Sequence, residues 1–298
     1  MATVAIVLNE SRHRAVELAH QAVDWLSAHD HAVRVPEDEA AAAGLAKHGC
    51  PPEALGPGAD LAVSLGGDGT ILRTLGLVAH DQVPILGVNL GRLGYLAQVE
   101  PDDLAPALER FVAGDYSVEE RLLLCVEVVP GTGAVPRPDG ARALPAPAPG
   151  HSLLALNEAV VEKTSAGQVV HVGVEIDDRP WTTYAADGII VATPTGSTAY
   201  SFSAHGPIID PCHRALLLTP VSPHMAFDRS LVFNPAQTLR MTVLDRPALL
   251  IVDGRELGTL PPGSTVACRA ATEVARFVAT RTRDFYGVLK AKFGLHDR

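Results

Sequence analysis

An α/β domain on a parallel sheet, followed by a mostly β domain, is the fold class predicted by this 298-residue sequence. Three observations predict it. Short apolar runs alternate with helical spacing as far as about residue 118. The apolar run Leu61-Ala62-Val63-Ser64-Leu65 breaks abruptly into Gly66-Gly67-Asp68-Gly69-Thr70, and helical spacing resumes at Ile71. Beyond residue 118 a two-residue alternation replaces the helical period.

Thr3–Leu8 reads as the first strand, and Ala15, Leu18, Ala19, Ala22 and Leu26 then form one apolar helix face. His31–Val35 is the next strand, Leu61–Leu65 carries the glycine turn, and Val83–Asn89 runs into the loop Leu90–Leu96. Strand and helix in alternation give a parallel sheet whose ligands lie at the strands' carboxyl ends, where both glycine-bearing loops fall. In the second part Val170, Val172, Val174 and Ile176 alternate with polar or small neighbours, and Asp177-Asp178 makes a turn. Leu239–Leu244 and Ala248–Val252 are further strands, with a second turn at Asp253-Gly254. The expected domains are residues 1–118 and 119–280, with a tail at 281–298 whose helical spacing packs back on the first. Pro130–Gly150, crowded with Pro, Gly and Ala, reads as a mobile loop inserted in the second domain.

The composition, 47% hydrophobic and 19% charged, is that of a soluble globular protein. Asp and Glu outnumber Lys and Arg by 34 to 24, and no basic cluster offers a nucleic-acid face. Four scattered cysteines form no C-x-x-C pair, no apolar run approaches a membrane span, and the N-terminus reads as a strand, not a leader. A cytoplasmic location follows as the expectation.

The glycine turn leaves room for an anion beside backbone N–H groups, and a helix start adds donors and partial positive charge. Asp68 is a poor neighbour for phosphate unless it serves a cation or a proton transfer. Asn157-Glu158 ends an apolar strand; an amide beside an acid can grip a sugar diol or a base edge, and equally fits a turn amide with a solvated acid. After Ile189-Ile190-Val191 comes a block of hydroxyl residues, Thr193 to Thr198, with Tyr200 offering a flat face. A capping turn would use the same residue types. His224, by itself, fits a structural histidine.

Taken together, Gly66–Thr70, Asn89–Tyr95, Asn157-Glu158, Asp187-Gly188 with Thr193–Tyr200, Pro223-His224 and Asp253-Gly254 resemble the NAD kinase family in order and spacing. The glycine turn alone also occurs in lipid kinases and phosphofructokinases; the Thr/Ser block is far more specific. The resemblance covers nearly the whole chain. It implies the Rossmann-like fold shared with diacylglycerol kinases, a β-rich second domain, and transfer of the γ-phosphoryl group of ATP to the 2′-hydroxyl of NAD's adenosine ribose. It implies Asp68 as general base, Gly66, Gly67, Gly69 and Thr70 at the ATP phosphates, and Asp68, Gly69, Tyr95, Asn157, Glu158, Asp187, Thr198, Ala199, Tyr200 and Ser203 around NAD. Mg2+ would arrive with ATP. A homodimer or homotetramer is implied, with Asp187 acting across a subunit contact.

Three features depart from the family pattern. His205-Gly206 stands where paired glycines are common, Ala185 and Ala186 replace a basic residue ahead of Asp187, and Pro130–Gly150 has no counterpart. They bear on substrate choice more than on fold, with His205 and His224 as specificity candidates. The rivals are a kinase of the same fold acting on another hydroxyl, such as a nucleoside, and a non-catalytic dinucleotide sensor.

Overall fold

The computed structural model describes residues 1–91, 95–97, 99–131, 152–280 and 284–295, so most of the segment 130–150 lies outside the described residues. In chain order the elements are β1 (Thr3–Leu8), α1 (His13–Ala28), β2 (Ala32–Pro36), α2 (Glu37–Ala42), β3 (Gly49–Cys50), β4 (Leu61–Gly66), α3 (Asp68–Val78), β5 (Ile85–Asn89) and α4 (Leu104–Val112). There follow β6 (Ser117–Val129), β7 (Leu153–Ala155), β8 (Glu158–Lys163), β9 (Val170–Ile176), β10 (Arg179–Ala186), β11 (Gly188–Ala192) and α5 (Tyr200–Ser203). The last are β12 (Leu216–Val221), β13 (Leu231–Phe233), β14 (Leu239–Val243), β15 (Ala248–Val252), β16 (Arg255–Leu260), β17 (Thr265–Ala279) and α6 (Phe285–Phe293). The chain divides into two compact units, Met1–Glu120 with Glu273–Arg298, and Arg121–Thr272.

The first unit holds a parallel sheet in the order β5-β4-β1-β2-β3, with Phe277 of β17 paired to Ile85 of β5. Val4 to Leu8 of β1 are buried throughout, as a strand covered on both faces requires. Ala15, Leu18, Ala19, Ala22, Val23 and Leu26 form the buried stripe of α1, the face the sequence spacing predicts. Winding runs from β1 to one side through β2 and β3, and to the other through β4 and β5. The reversal falls between β1 and β4, where such sheets open a crevice at their carboxyl ends.

The second unit is built of strands. One antiparallel sheet runs β13-β12-β11-β8-β15-β16, and the other carries β10-β9-β14 against β17, with β6 and β7 alongside. Their inner faces share one core of Leu124, Val161, Val172, Ile189, Leu218, Met241 and Leu250, among others. Asp177 and Asp178 both take positive φ (51° and 60°), the two-residue hairpin turn that suits right-handed strand twist.

Candidate functional site

In the first unit the candidate site is the junction of β4 and α3. Gly67 is the N-cap of α3 and Asp68 its first residue, so the first-turn N–H groups of the helix point out of this turn. The three glycines serve different ends. A Cβ on Gly66 would collide with the hydroxyl of buried Thr70, so packing demands glycine there. A Cβ on Gly67 or Gly69 would meet nothing within 4 Å, and neither residue takes a positive φ. Protein packing and backbone conformation leave both unexplained, and the space where their side chains would stand is open.

Asp68 is half-buried, and its carboxylate accepts the backbone N–H of Tyr95 (3.1 Å) and of Leu96 (3.3 Å). These bonds fix the acid while leaving lone pairs for another donor. Lys292 of α6 places its Nζ 3.5 Å from the centroid of the Tyr95 ring, which also lies against Phe285. Burial, then the charge of Asp68, raises the Tyr95 phenol pKa. Behind the turn, Arg73 of α3 donates to the Leu8 carbonyl (2.6 Å) and pairs with Glu39 (2.9 Å). Glu39, itself buried, accepts the Leu8 N–H (2.7 Å). This clamp ties the carboxyl end of β1 to α3 on either side of the crevice position.

The second unit assembles around Asn157 and Glu158, at the step from β7 to β8. The Asp253 carboxylate accepts three successive N–H groups there, from Leu156 (2.8 Å), Asn157 (2.7 Å) and Glu158 (3.2 Å). Thr193 accepts the Gly196 N–H (3.1 Å) and donates to the Leu156 carbonyl, folding the Thr195–Thr198 turn onto this step. A side chain on Gly196 would collide with the Asn157 backbone. Glu158 is 5% exposed and its Oε2 has no partner among the described residues. Burial, reinforced by the Asp253 charge and opposed by the Tyr200 N–H, pushes its pKa up to about 8. Asp187 pairs with Lys163 (2.6 Å), both half-buried. Burial raises the Tyr200 phenol, with the charges of Glu162, Asp187 and Glu158 adding to it.

Gly66, Gly67, Asp68, Gly69, Thr70 and Tyr95 thus share one locus of the first unit. In the second, Asn157, Glu158, Asp187, Thr198, Ala199 and Tyr200 lie on the neighbouring segments β8, β11 and the turn into α5. Ser203 and His205 line a cleft of about 780 Å³ with Tyr200, Ser222, Asp228 and Arg229. His224 is exposed, and its N–H is tied to the Ala185 carbonyl (2.7 Å). His205 takes a left-handed φ of 63° just after α5, with its N–H on Phe202 and that of Gly206 on Ser201, a helix-ending motif in which glycine is the usual residue. Sequence reasoning missed Lys163, Asp253's capping of Asn157, and Lys292. A cation sought beside Asp187 in sequence is supplied across the strand pair, since Glu162 lies opposite Gly188.

No three His, Cys, Asp or Glu side chains converge as a metal cage among the described residues. Mg2+ keeps most of its waters and binds through phosphates with few protein ligands, so this donor set fits a cation carried in on a nucleotide.

The ATP-NAD kinase N-terminal domain matches residues 4–116, and the ATP-NAD kinase C-terminal domain residues 156–280. The NAD kinase of Heliobacterium modesticaldum is 41% identical over 296 residues, covering 98% of each chain. That of Geotalea daltonii is 35% identical over 305 residues, covering 100% of each. Yeast NADH kinase, solved with NADH, matches with a TM-score of 0.87 at 23% identity, over 100% of this chain and 89% of its own. An NAD kinase from Archaeoglobus fulgidus, solved with ATP, gives 0.71 at 24%, over 98% and 97%. At these identities the solved structures speak for the fold, while the two matching domains and the full-length relatives speak for descent: this chain belongs to the NAD kinase family.

Proposed function

We propose that this chain transfers the γ-phosphoryl group of ATP to the 2′-hydroxyl of the adenosine ribose of NAD, giving NADP. The observation that carries the mechanism is Asp68, held by the Tyr95 and Leu96 N–H groups at the start of a helix whose Gly67 and Gly69 leave their backbone open. A ribose hydroxyl must lose its proton as the new P–O bond forms, and Asp68 receives it. Gly66, Gly67, Gly69 and Thr70 form the phosphate turn, where N–H groups and the helix start face negative charge. Asn157 and Glu158 orient the ribose, with Tyr95, Asp187, Thr198, Ala199, Tyr200 and Ser203 around the dinucleotide. Mg2+ would enter with ATP, bound to its phosphates, and would supply charge neutralisation there. His205, in the same cleft as Tyr200 and Ser203, and His224 are where acceptor choice is set. The enzyme works in the cytoplasm as a homodimer or homotetramer.

The test is incubation with Mg-ATP and NAD, reading NADP with a strictly NADP-dependent dehydrogenase, with NADH and adenosine in parallel. Asp68→Asn is expected to bind the dinucleotide and to lose about 10²- to 10⁴-fold in turnover. Full activity in that variant removes Asp68 from the mechanism. Phosphorylation of adenosine without NADP would mark an enzyme turned to nucleosides.

A further inference from the structure

The phosphate turn itself, Gly66–Thr70, contains no lysine or arginine, although the reaction brings a triphosphate and a carboxylate together. Two described cations near the turn are already engaged. Arg73 is bound to the Leu8 carbonyl and the Glu39 carboxylate. Arg12 donates to the Leu90 carbonyl. Lys292 differs. It comes from the far end of the chain, on α6, and its Nζ rests 3.5 Å from the centroid of the Tyr95 ring. The backbone N–H of that same Tyr95 holds Asp68. The side chain is solvent-accessible, so an incoming anion can reach it. A π face is a weak partner for an ammonium, at about 1 kcal/mol when exposed. It parks the charge without consuming its three N–H donors.

We propose that Lys292 is a catalytic residue of this kinase, the ammonium that meets the transferring phosphoryl group of ATP beside Asp68. The inference rests on the kinase reading above. In the transfer the 2′-oxygen bonds to the γ-phosphorus, the bond from that phosphorus to the β,γ-bridging oxygen breaks, and the hydroxyl proton passes to Asp68. Charge is spread over the equatorial phosphoryl oxygens at that moment, in front of an acid that repels them. A lysine point charge on the ring of the residue whose N–H holds that acid offsets this repulsion, and does so most in the transition state. Partial desolvation lowers the Lys292 ammonium pKa, and the Asp68 charge offsets part of that lowering. Tyr95 then has a double duty, with its N–H orienting the base and its ring orienting the cation.

The experiment compares K292M and K292R with the unaltered protein, in steady-state kinetics with ATP and NAD each varied, alongside thermal unfolding. K292M keeps the stem on the Tyr95 ring and removes the charge. Its kcat is expected to fall about 10²-fold, with the KM for NAD and the unfolding midpoint unchanged. K292R, which keeps the charge, is expected to recover most of that loss. A K292M enzyme with the original kcat overturns the proposal. So does a K292R enzyme as slow as K292M, because restoring the charge would then fail to restore the rate. Unaltered protein that forms no NADP removes the kinase reading, and this inference with it; active protein with insensitive variants removes this inference alone.

Discussion

Replacing Glu158 by glutamine should make the protein's stability less dependent on pH, and the buried carboxyl sets the size of the effect. Glu158 is 5% exposed, with one oxygen unpartnered and the Asp253 carboxylate acting on it. Its pKa is raised from 4.5 to about 8. Across that interval the native chain holds a proton that the unfolded chain has released. The resulting stabilisation is complete below the unfolded value and drains away as pH climbs through the folded one. From about pH 6 to about pH 8 the loss is about 2 kcal/mol, from about 1.4 kcal/mol per unit with the last part flattening near the folded pKa. Glutamine has the same shape and does not titrate. The assay is urea unfolding of Glu158→Gln and the unaltered chain at a series of pH values, taking the difference at each. That subtraction cancels the titrating groups that do not interact with Glu158. The variant should gain about 2 kcal/mol relative to the unaltered chain over that range. Parallel curves would refute the reasoning, showing that Glu158 enters the folded state with its ordinary affinity for protons.

Two further outcomes follow from the second unit. Asp253→Ala removes the acceptor for three N–H groups at Leu156, Asn157 and Glu158 and leaves alanine at a φ of 47°. It should cost about 3 kcal/mol in urea unfolding and raise the KM for NAD more than that for ATP; an unchanged unfolding midpoint would show that the turn holds itself. His205→Gly relieves a left-handed residue at φ 63°, at some cost in unfolded-state entropy. A net gain of about 0.5 kcal/mol is expected by the same assay, and a loss would mean that the imidazole makes contacts worth more than the strain.

The parallel sheet of the first unit and the strand-turn-helix step at Gly66–Thr70 were legible because both follow from local pattern. An apolar run ending in Gly66-Gly67-Asp68-Gly69 specifies strand, turn and helix start with no long-range information. The turns at Asp177-Asp178 and Asp253-Gly254 were legible for the same reason, since short polar side chains tolerate positive φ. Boundaries moved by a residue or two: β2 begins at Ala32 instead of His31, and β5 at Ile85 instead of Val83. What sequence could not supply were partners chosen by register. Lys163 reaches Asp187 because Glu162 stands opposite Gly188 in an antiparallel pair. Asp253 reaches Leu156, Asn157 and Glu158 because β15 lies beside β8, with Val252 opposite Ala159. Neither spacing has a signature along the chain.

The same distinction explains how a chain of formal charge −10 can handle polyphosphate. A basic patch would be visible in composition, and here there is none. Positive potential at the Gly66–Thr70 turn comes instead from backbone, the N–H groups at the start of α3, whose partial charges do not appear in a residue count. The acids, for their part, are kept from acting as bare anions. Asp68 is held by two N–H groups, Asp253 by three, Asp187 by Lys163, and Glu158 by burial that favours its protonated form. These four carboxyls are thus balanced locally, by N–H groups, by a lysine or by burial, and not by the net charge of the chain. The sequence reading set nucleic acid aside on the ground that long polyanions need an extended basic face. A nucleotide is small enough that one helix start and one lysine can suffice.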